Sequence, residues 1–102
     1  MHAALPRTTA EEIFAILTEE CGASRDSLGQ GLDAFARYLG TDSPFSREFR
    51  FGGHLGFGGK FYADGRTWRV GCYPEDATPA RNAMVERANE RLADLHARLS
   101  AS

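Results

Sequence analysis

The residues best suited to chemistry lie in one glycine-rich stretch, GGHLGFGGKFY, at positions 52–62. Its five glycines, together with His54 and Lys60, raise the question of a phosphate cradle. A P-loop requires a glycine five residues before its Gly-Lys pair and a serine or threonine directly after that pair. Those two positions hold His54 and Phe61, so the sequence excludes a P-loop.

A dinucleotide fingerprint fails in the same stretch. Counted from Gly56, Gly58 fits, but Phe61 stands where the third glycine is needed and no β–α turn follows. A looser nest of backbone N–H groups around an anion stays open. Because glycine permits bulges and close approach between elements, the favoured interpretation is a joint between two strands, with His54 at its exposed tip.

The candidate nucleophiles and bases form no recognisable catalytic set. Cys72 with His54 or His96 would supply a nucleophile and a base, but no spacing fixes their geometry, and Cys72 falls on the core-facing phase of its strand. Cys21 and Cys72 match no metal-ligand spacing and are predicted to be buried free thiols; a disulfide between them would need an oxidising compartment. We therefore expect a non-enzymatic protein without cofactor or metal.

Size and composition indicate one small domain. The 102 residues suffice for a single hydrophobic core. They are predicted to form one domain over 1–102, in which 1–8 is a mobile tail. With 42% hydrophobic and 25% charged residues, the composition indicates neither disorder nor a fibre. No apolar run approaches the roughly 20 residues of a membrane helix, and no signal peptide is recognisable, so a cytoplasmic protein is expected.

Charge and aromatic residues are distributed unevenly along the chain. The net charge is −2, but residues 1–44 carry three basic and seven acidic side chains, whereas residues 45–73 carry five basic and two acidic. The central segment also holds eight of the eleven aromatic residues. An acidic N-terminal part therefore adjoins a basic, aromatic centre.

Three helices are predicted from capping signals and apolar periodicity. The first begins near Thr9, which forms a capping box with Glu12, and ends at Gly22; its apolar stripe comprises Ile13, Phe14, Leu17 and Cys21. The second covers about 26–39. The third is capped by Thr78, has Pro79 at its first position, and continues with the stripe Met84, Ala88, Leu92, Leu95 and Leu99.

Three strands are predicted between the second and third helices, at 47–53, 59–63 and 67–73, from alternating apolar and polar residues. Asp64-Gly65 predicts a two-residue hairpin turn between the last two strands. The fold class is therefore α+β, with two N-terminal helices, a three-stranded antiparallel sheet and a long C-terminal helix packed on one sheet face.

Strand phase predicts a basic, aromatic surface on the other side of the sheet. If Phe49, Phe51, Phe61, Trp68 and Val70 face the core, then the opposite face carries Arg50, Lys60, Tyr62, Arg69 and Tyr73. Such a face is often only solvated, as antiparallel sheets commonly are. With His54, these five residues are our candidate partner-binding set. The face could also bind single-stranded nucleic acid, because LGFGGKFY has the aromatic and glycine mixture of an RNP1 signature without matching its consensus.

Residues 48–89, EFRFGGHLGFGGKFYADGRTWRVGCYPEDATPARNAMVERAN, resemble small uncharacterised proteins encoded by bacteriophages and prophages. The shared features are the glycine-rich hairpin and the CYPED-TP start of a helix. The resemblance implies a context in which proteins of this size bind and block or redirect a host protein, anti-CRISPR proteins included. It implies no functional residue.

The function expected is that of a small non-enzymatic protein that binds and inhibits a bacterial host protein or ribonucleoprotein complex, with no membrane partner. The alternative is a single-stranded nucleic-acid-binding protein that uses the basic sheet face. Within the first hypothesis, the acidic first helix, with Glu11, Glu12, Glu19 and Glu20, is a second candidate surface. An exposed sheet face or edge could also build a homodimer.

Overall fold

The computed structural model describes residues 7–23, 45–50, 58–63 and 67–101. They form helix α1 (Arg7–Cys21), strands β1 (Phe45–Arg50), β2 (Gly58–Ala63) and β3 (Trp68–Cys72), a 3-10 turn (Pro74–Asp76) and helix α2 (Pro79–Ala101). The α+β class is confirmed. The predicted second helix, at about 26–39, and the tip residue His54 lie outside the described residues.

Helix α1 starts earlier than the capping pattern predicts. It begins at Arg7, and Thr9 is a buried residue inside its first turns, not the residue before the helix. The predicted end is confirmed: Gly22 adopts a φ of 64°, and its N–H donates to the carbonyl of Thr18 at 2.9 Å. A residue with a side chain would be strained there, so glycine suits this left-handed cap.

Helix α2 starts where Thr78 and Pro79 predict. The side-chain oxygen of Thr78 accepts a hydrogen bond from the N–H of Arg81 at 3.1 Å, which satisfies a donor that has no partner inside the helix. Pro79 occupies the first helical position, where a missing N–H costs nothing. The local signals alone therefore fix this end of the helix.

Strands β2 and β3 form an antiparallel hairpin in which Ala63 pairs with Trp68 and Phe61 with Val70. A two-residue turn at Asp64-Gly65 would instead pair Ala63 with Arg66, so that predicted register is wrong by two residues. A shift of two leaves every side chain on its predicted face. Residues 64–66 themselves lie outside the described part. The backbone of β1 runs antiparallel to β2 on its other side.

The core lies where α1, α2 and the hairpin meet. Helix α2 packs against β3 and α1. The fully buried side chains come from all three parts and include Ile13, Leu17 and Cys21 of α1, Phe61 of β2, and Leu92 and Leu95 of α2. Trp68 and Val70 are also buried, so the predicted core phase of the hairpin is confirmed. Leu99, predicted in the apolar stripe of α2, is 42% exposed.

Helix α2 also closes the outer edge of the hairpin through Asn89. The N–H of Val70 donates to Asn89 Oδ1 at 2.6 Å, and Asn89 Nδ2 donates to the carbonyl of Val70 at 3.1 Å. Both backbone groups of Val70 therefore point away from β2, and one side-chain amide replaces the strand that would otherwise pair there.

Candidate partner-binding face

The register brings Lys60, Tyr62, Arg69 and Gly71 to four adjacent positions on the sheet face opposite the core. Tyr62 pairs with Arg69, and Lys60 pairs with Gly71. Because side chains alternate along a strand, these four residues share one face, while Phe61 and Val70 share the other. We call this four-residue group the basic tyrosine square.

The ring of Tyr62 crosses this square diagonally. A Cβ placed on Gly71 would lie 3.3 Å from Tyr62 Cε2, so the ring occupies the space that a side chain at position 71 would need. Lys60 and Arg69 hold the other two corners. Lys60 Nζ lies 5.9 Å from the ring centroid and the guanidinium carbon of Arg69 lies 4.8 Å from it. The ring is thus flanked by two cations.

The cations interact favourably with the ring, since the π-face of tyrosine carries negative charge. They also repel one another, because each lies within 6 Å of the same ring centre. Arg69 is exposed, and Lys60 and Tyr62 are half-buried. The square therefore presents fixed positive charge to solvent, which an anion would stabilise.

The structure brings only part of the predicted site together. Arg50 lies at the end of β1, opposite Gly58, and Glu48 takes the β1 position opposite Lys60. Glu48 is the acidic residue of β1 whose position adjoins the square. Tyr73 is half-buried and lies one residue beyond β3, directly before the 3-10 turn. His54 lies outside the described residues.

Gly71 is the member of the square that sequence reasoning missed. Its sequence signal was available, since a glycine inside a strand often marks a close approach by another group. What the sequence does not show is which group approaches, because Tyr62 reaches Gly71 only through the observed register.

The acidic surface of α1 is partly neutralised by α2. Arg91 Nη1 donates to Glu19 Oε1 at 2.8 Å and to Glu20 Oε2 at 3.0 Å, and Arg87 Nε donates to Glu20 Oε1 at 3.3 Å. The hydrogen bond from Arg91 is the main cause that lowers the pKa of Glu20 below its ordinary value. At least two of the four glutamates predicted to form a solvated acidic face, Glu19 and Glu20, are therefore engaged within the molecule.

The thiols and His96 are placed for packing. Neither Cys21 nor Cys72 forms a disulfide; Cys21 is buried as predicted, whereas Cys72 is only half-buried, so that part of the prediction is wrong. Burial raises the pKa of the Cys21 thiol to about 12. Cys21 thus keeps its proton at neutral pH. The ring of His96 packs edge-on against Trp68 with centroids 4.9 Å apart. Within the described ranges, no group of three or more His, Cys, Asp or Glu side chains is arranged to hold a metal.

A shallow cleft of about 310 Å³ lies between α1 and α2. Its lining carries charges of both signs, from Glu12 and Asp94 on one hand and Arg91 and Arg98 on the other. Arg91 is already paired with two glutamates. The cleft consequently favours no single class of ligand.

Comparison with protein-family models, with curated proteins and with solved structures finds no match to this chain. Among the helices of the described ranges, none combines the length and the apolar character needed to cross a bilayer.

Proposed function

We propose that this chain is a non-enzymatic binding protein whose basic tyrosine square engages an acidic surface on a protein partner. The observation that carries the proposal is the pair of cations held next to the Tyr62 ring, at 5.9 and 4.8 Å from its centroid. Arginine and tyrosine are enriched among the residues that dominate protein interfaces. A fixed pair of positive charges is complementary to an acidic partner.

The position of the Tyr62 ring favours a protein partner over single-stranded nucleic acid. Sheet-face binding of a single strand depends on aromatic rings whose faces are open for stacking on bases. Here the ring lies close to Gly71 and has both Lys60 and Arg69 within 6 Å of its centre, so two cations compete with a base for contact with the ring. The two neighbouring cations, Lys60 and Arg69, remain accessible, and both can pair with carboxylates.

The ion pairs between the helices favour this face over the acidic first helix. An acidic helix that occupied a basic groove would need its carboxylates free, but Glu19 and Glu20 already bind Arg91. A partner would have to break those pairs before using the same charges. The proposal therefore assigns the interface to the sheet.

The biological setting of the proposal comes from the resemblance of residues 48–89 to small phage-encoded proteins. In that setting the partner is a bacterial host protein or ribonucleoprotein complex, the site of action is the host cytoplasm, and binding inhibits the complex, as anti-CRISPR and other anti-defence proteins do. The complete proposed fold adds a second helix at about 26–39 and counts β1 as the third strand of the sheet.

Capture from a bacterial lysate tests the proposal when it includes a matched charge reversal. The full chain is immobilised as wild type, as Arg69→Glu and as Arg98→Glu; both arginines are exposed, but Arg98 lies on α2. We expect a protein that is retained by wild type and by Arg98→Glu and lost with Arg69→Glu. Equal retention by all three proteins would show that the sheet face is the wrong surface, and retention of nothing would refute the binding function.

Competition with an oligonucleotide separates the two partner classes. If single-stranded DNA binds with an affinity that falls steeply with salt and displaces the retained protein, the nucleic-acid hypothesis replaces the protein one. If it neither binds nor displaces at low salt, the protein hypothesis stands.

A further inference from the structure

We propose that Arg69 is the specificity-determining residue of the basic tyrosine square and that it binds one carboxylate of the partner through two parallel hydrogen bonds. This inference rests on the proposed function and names the group that the face recognises. The partner segment is accordingly an acidic stretch of polypeptide that presents an Asp or Glu side chain.

The first support is the way Tyr62 holds the guanidinium. The central carbon of Arg69 lies 4.8 Å from the Tyr62 ring centroid. A guanidinium that contacts an aromatic ring uses its face for that contact and keeps its N–H donors in its own plane. Those donors form a fork that matches the two oxygens of a carboxylate. Contact with the ring restrains the position of the guanidinium and in itself uses none of its N–H donors.

The second support is the difference between the two cations. Lys60 lies farther from the ring, at 5.9 Å, is half-buried, and has Glu48 at the β1 position opposite it. Its ammonium is a compact point charge without directional pairing. Arg69 is exposed on β3, on the side of the hairpin away from β1. Lys60 attracts the negative charge of the partner without fixing its orientation, whereas the planar fork of Arg69 fixes the orientation of the bound carboxylate.

The third support is Gly71, which makes the arrangement sterically possible. The ring lies where a side chain at position 71 would stand, with only 3.3 Å between Tyr62 Cε2 and an added Cβ. A larger side chain there would push the ring away from the diagonal and from Arg69. Gly71 is thus a positioning residue for the Arg69 fork, and it acts through Tyr62.

The test follows the Nε–H signal of Arg69 by NMR while the full-length chain is titrated with a hexaglutamate peptide, with a six-residue oligothymidylate, and with sodium chloride at equal ionic strength. We expect a saturable shift with hexaglutamate alone. Arg69→Lys keeps the charge and loses the fork, so its hexaglutamate affinity, followed by backbone amide shifts, should fall about tenfold. Gly71→Val keeps every charge and should weaken binding similarly.

Three results would overturn the inference. They are an Arg69→Lys affinity within twofold of wild type, an Nε–H shift that chloride reproduces, and an equal shift with the oligothymidylate. If Arg69→Lys binds normally while Arg69→Glu loses the lysate partner, the fork is refuted and the proposed face survives. If Arg69→Glu also keeps that partner, both fail. Tyr62→Leu, which removes the ring and leaves position 71 unchanged, replaces Gly71→Val if that variant does not fold.

Discussion

Replacing Asn89 with alanine should open the outer edge of β3 and destabilise the whole domain. The substitution removes two hydrogen bonds, of 2.6 and 3.1 Å, and leaves the N–H and the carbonyl of Val70 without their partner. Each bond contributes about 0.5–1.5 kcal/mol net, so their joint loss should cost about 2 kcal/mol. For a domain of this size, that corresponds to a fall of about 10 °C in Tm.

The matched control is Asn82→Ala. Asn82 is an exposed residue of the same helix. Alanine has a higher helix propensity than asparagine at both positions, so this control measures the gain in stability that comes from propensity alone. The free energy of unfolding is measured by urea denaturation, with the fluorescence of Trp68, the single tryptophan, as the signal. The difference between the two variants isolates the contribution of the Asn89 amide.

The same prediction can be tested at one atom, the amide hydrogen of Val70, by hydrogen exchange. The N–H of Val70 points away from β2 and donates to Asn89, so Asn89→Ala should remove its protection. The N–H groups of Arg69 and Gly71 face β2 by alternation and should keep theirs until the domain unfolds. The reasoning is refuted if the two variants agree within about 0.5 kcal/mol, or if the Val70 amide exchanges as slowly as in wild type.

Three further changes test other parts of the structure. Glu20→Gln should make the stability of the domain depend less on pH in the acid range. The folded pKa of Glu20 is lowered, so the stability it contributes is present above the ordinary carboxyl pKa and is lost as pH falls through the folded value. An acid titration by circular dichroism that does not differ from wild type would contradict this. Leu92→Ala should cost about 2–5 kcal/mol in urea denaturation, against under about 1 kcal/mol for the 42%-exposed Leu99; equal costs would contradict the packing. Cys21 should resist Ellman's reagent at pH 8 until urea unfolds the chain, since burial raises its thiol pKa to about 12; rapid labelling in the native state would show that it is accessible.

Local patterns in the sequence predict the helix ends and the faces of the hairpin. Thr78 and Pro79 mark the start of α2, and Gly22 marks the end of α1, because caps act on backbone groups within a few residues. The buried phase of Phe61 and Val70 follows from alternation alone. The start of α1 was missed because Thr9, with the residue type of a cap, is buried inside the helix.

Contacts between distant segments could not be predicted in this way. The pairing of Arg91 with Glu19 and Glu20 depends on how α1 and α2 pack, and no pattern within either helix predicts it. The role of Asn89 depends on the distance from α2 to the edge of β3. The contact of Tyr62 with Gly71 depends on a hairpin register that differs by two residues from the one its turn sequence predicts.

The internal pairing of Glu19 and Glu20 also shapes how a partner would approach this molecule. With those two carboxylates balanced by Arg87 and Arg91, the C-terminal part of α1 presents less negative charge than its sequence suggests. Positive charge stays at Lys60 and Arg69 on the sheet. These two cations would attract an acidic partner of the proposed kind toward the sheet face before contact, over about 10 Å at 0.1 M salt. Attraction of this kind speeds encounter and leaves the lifetime of the complex to short-range contacts.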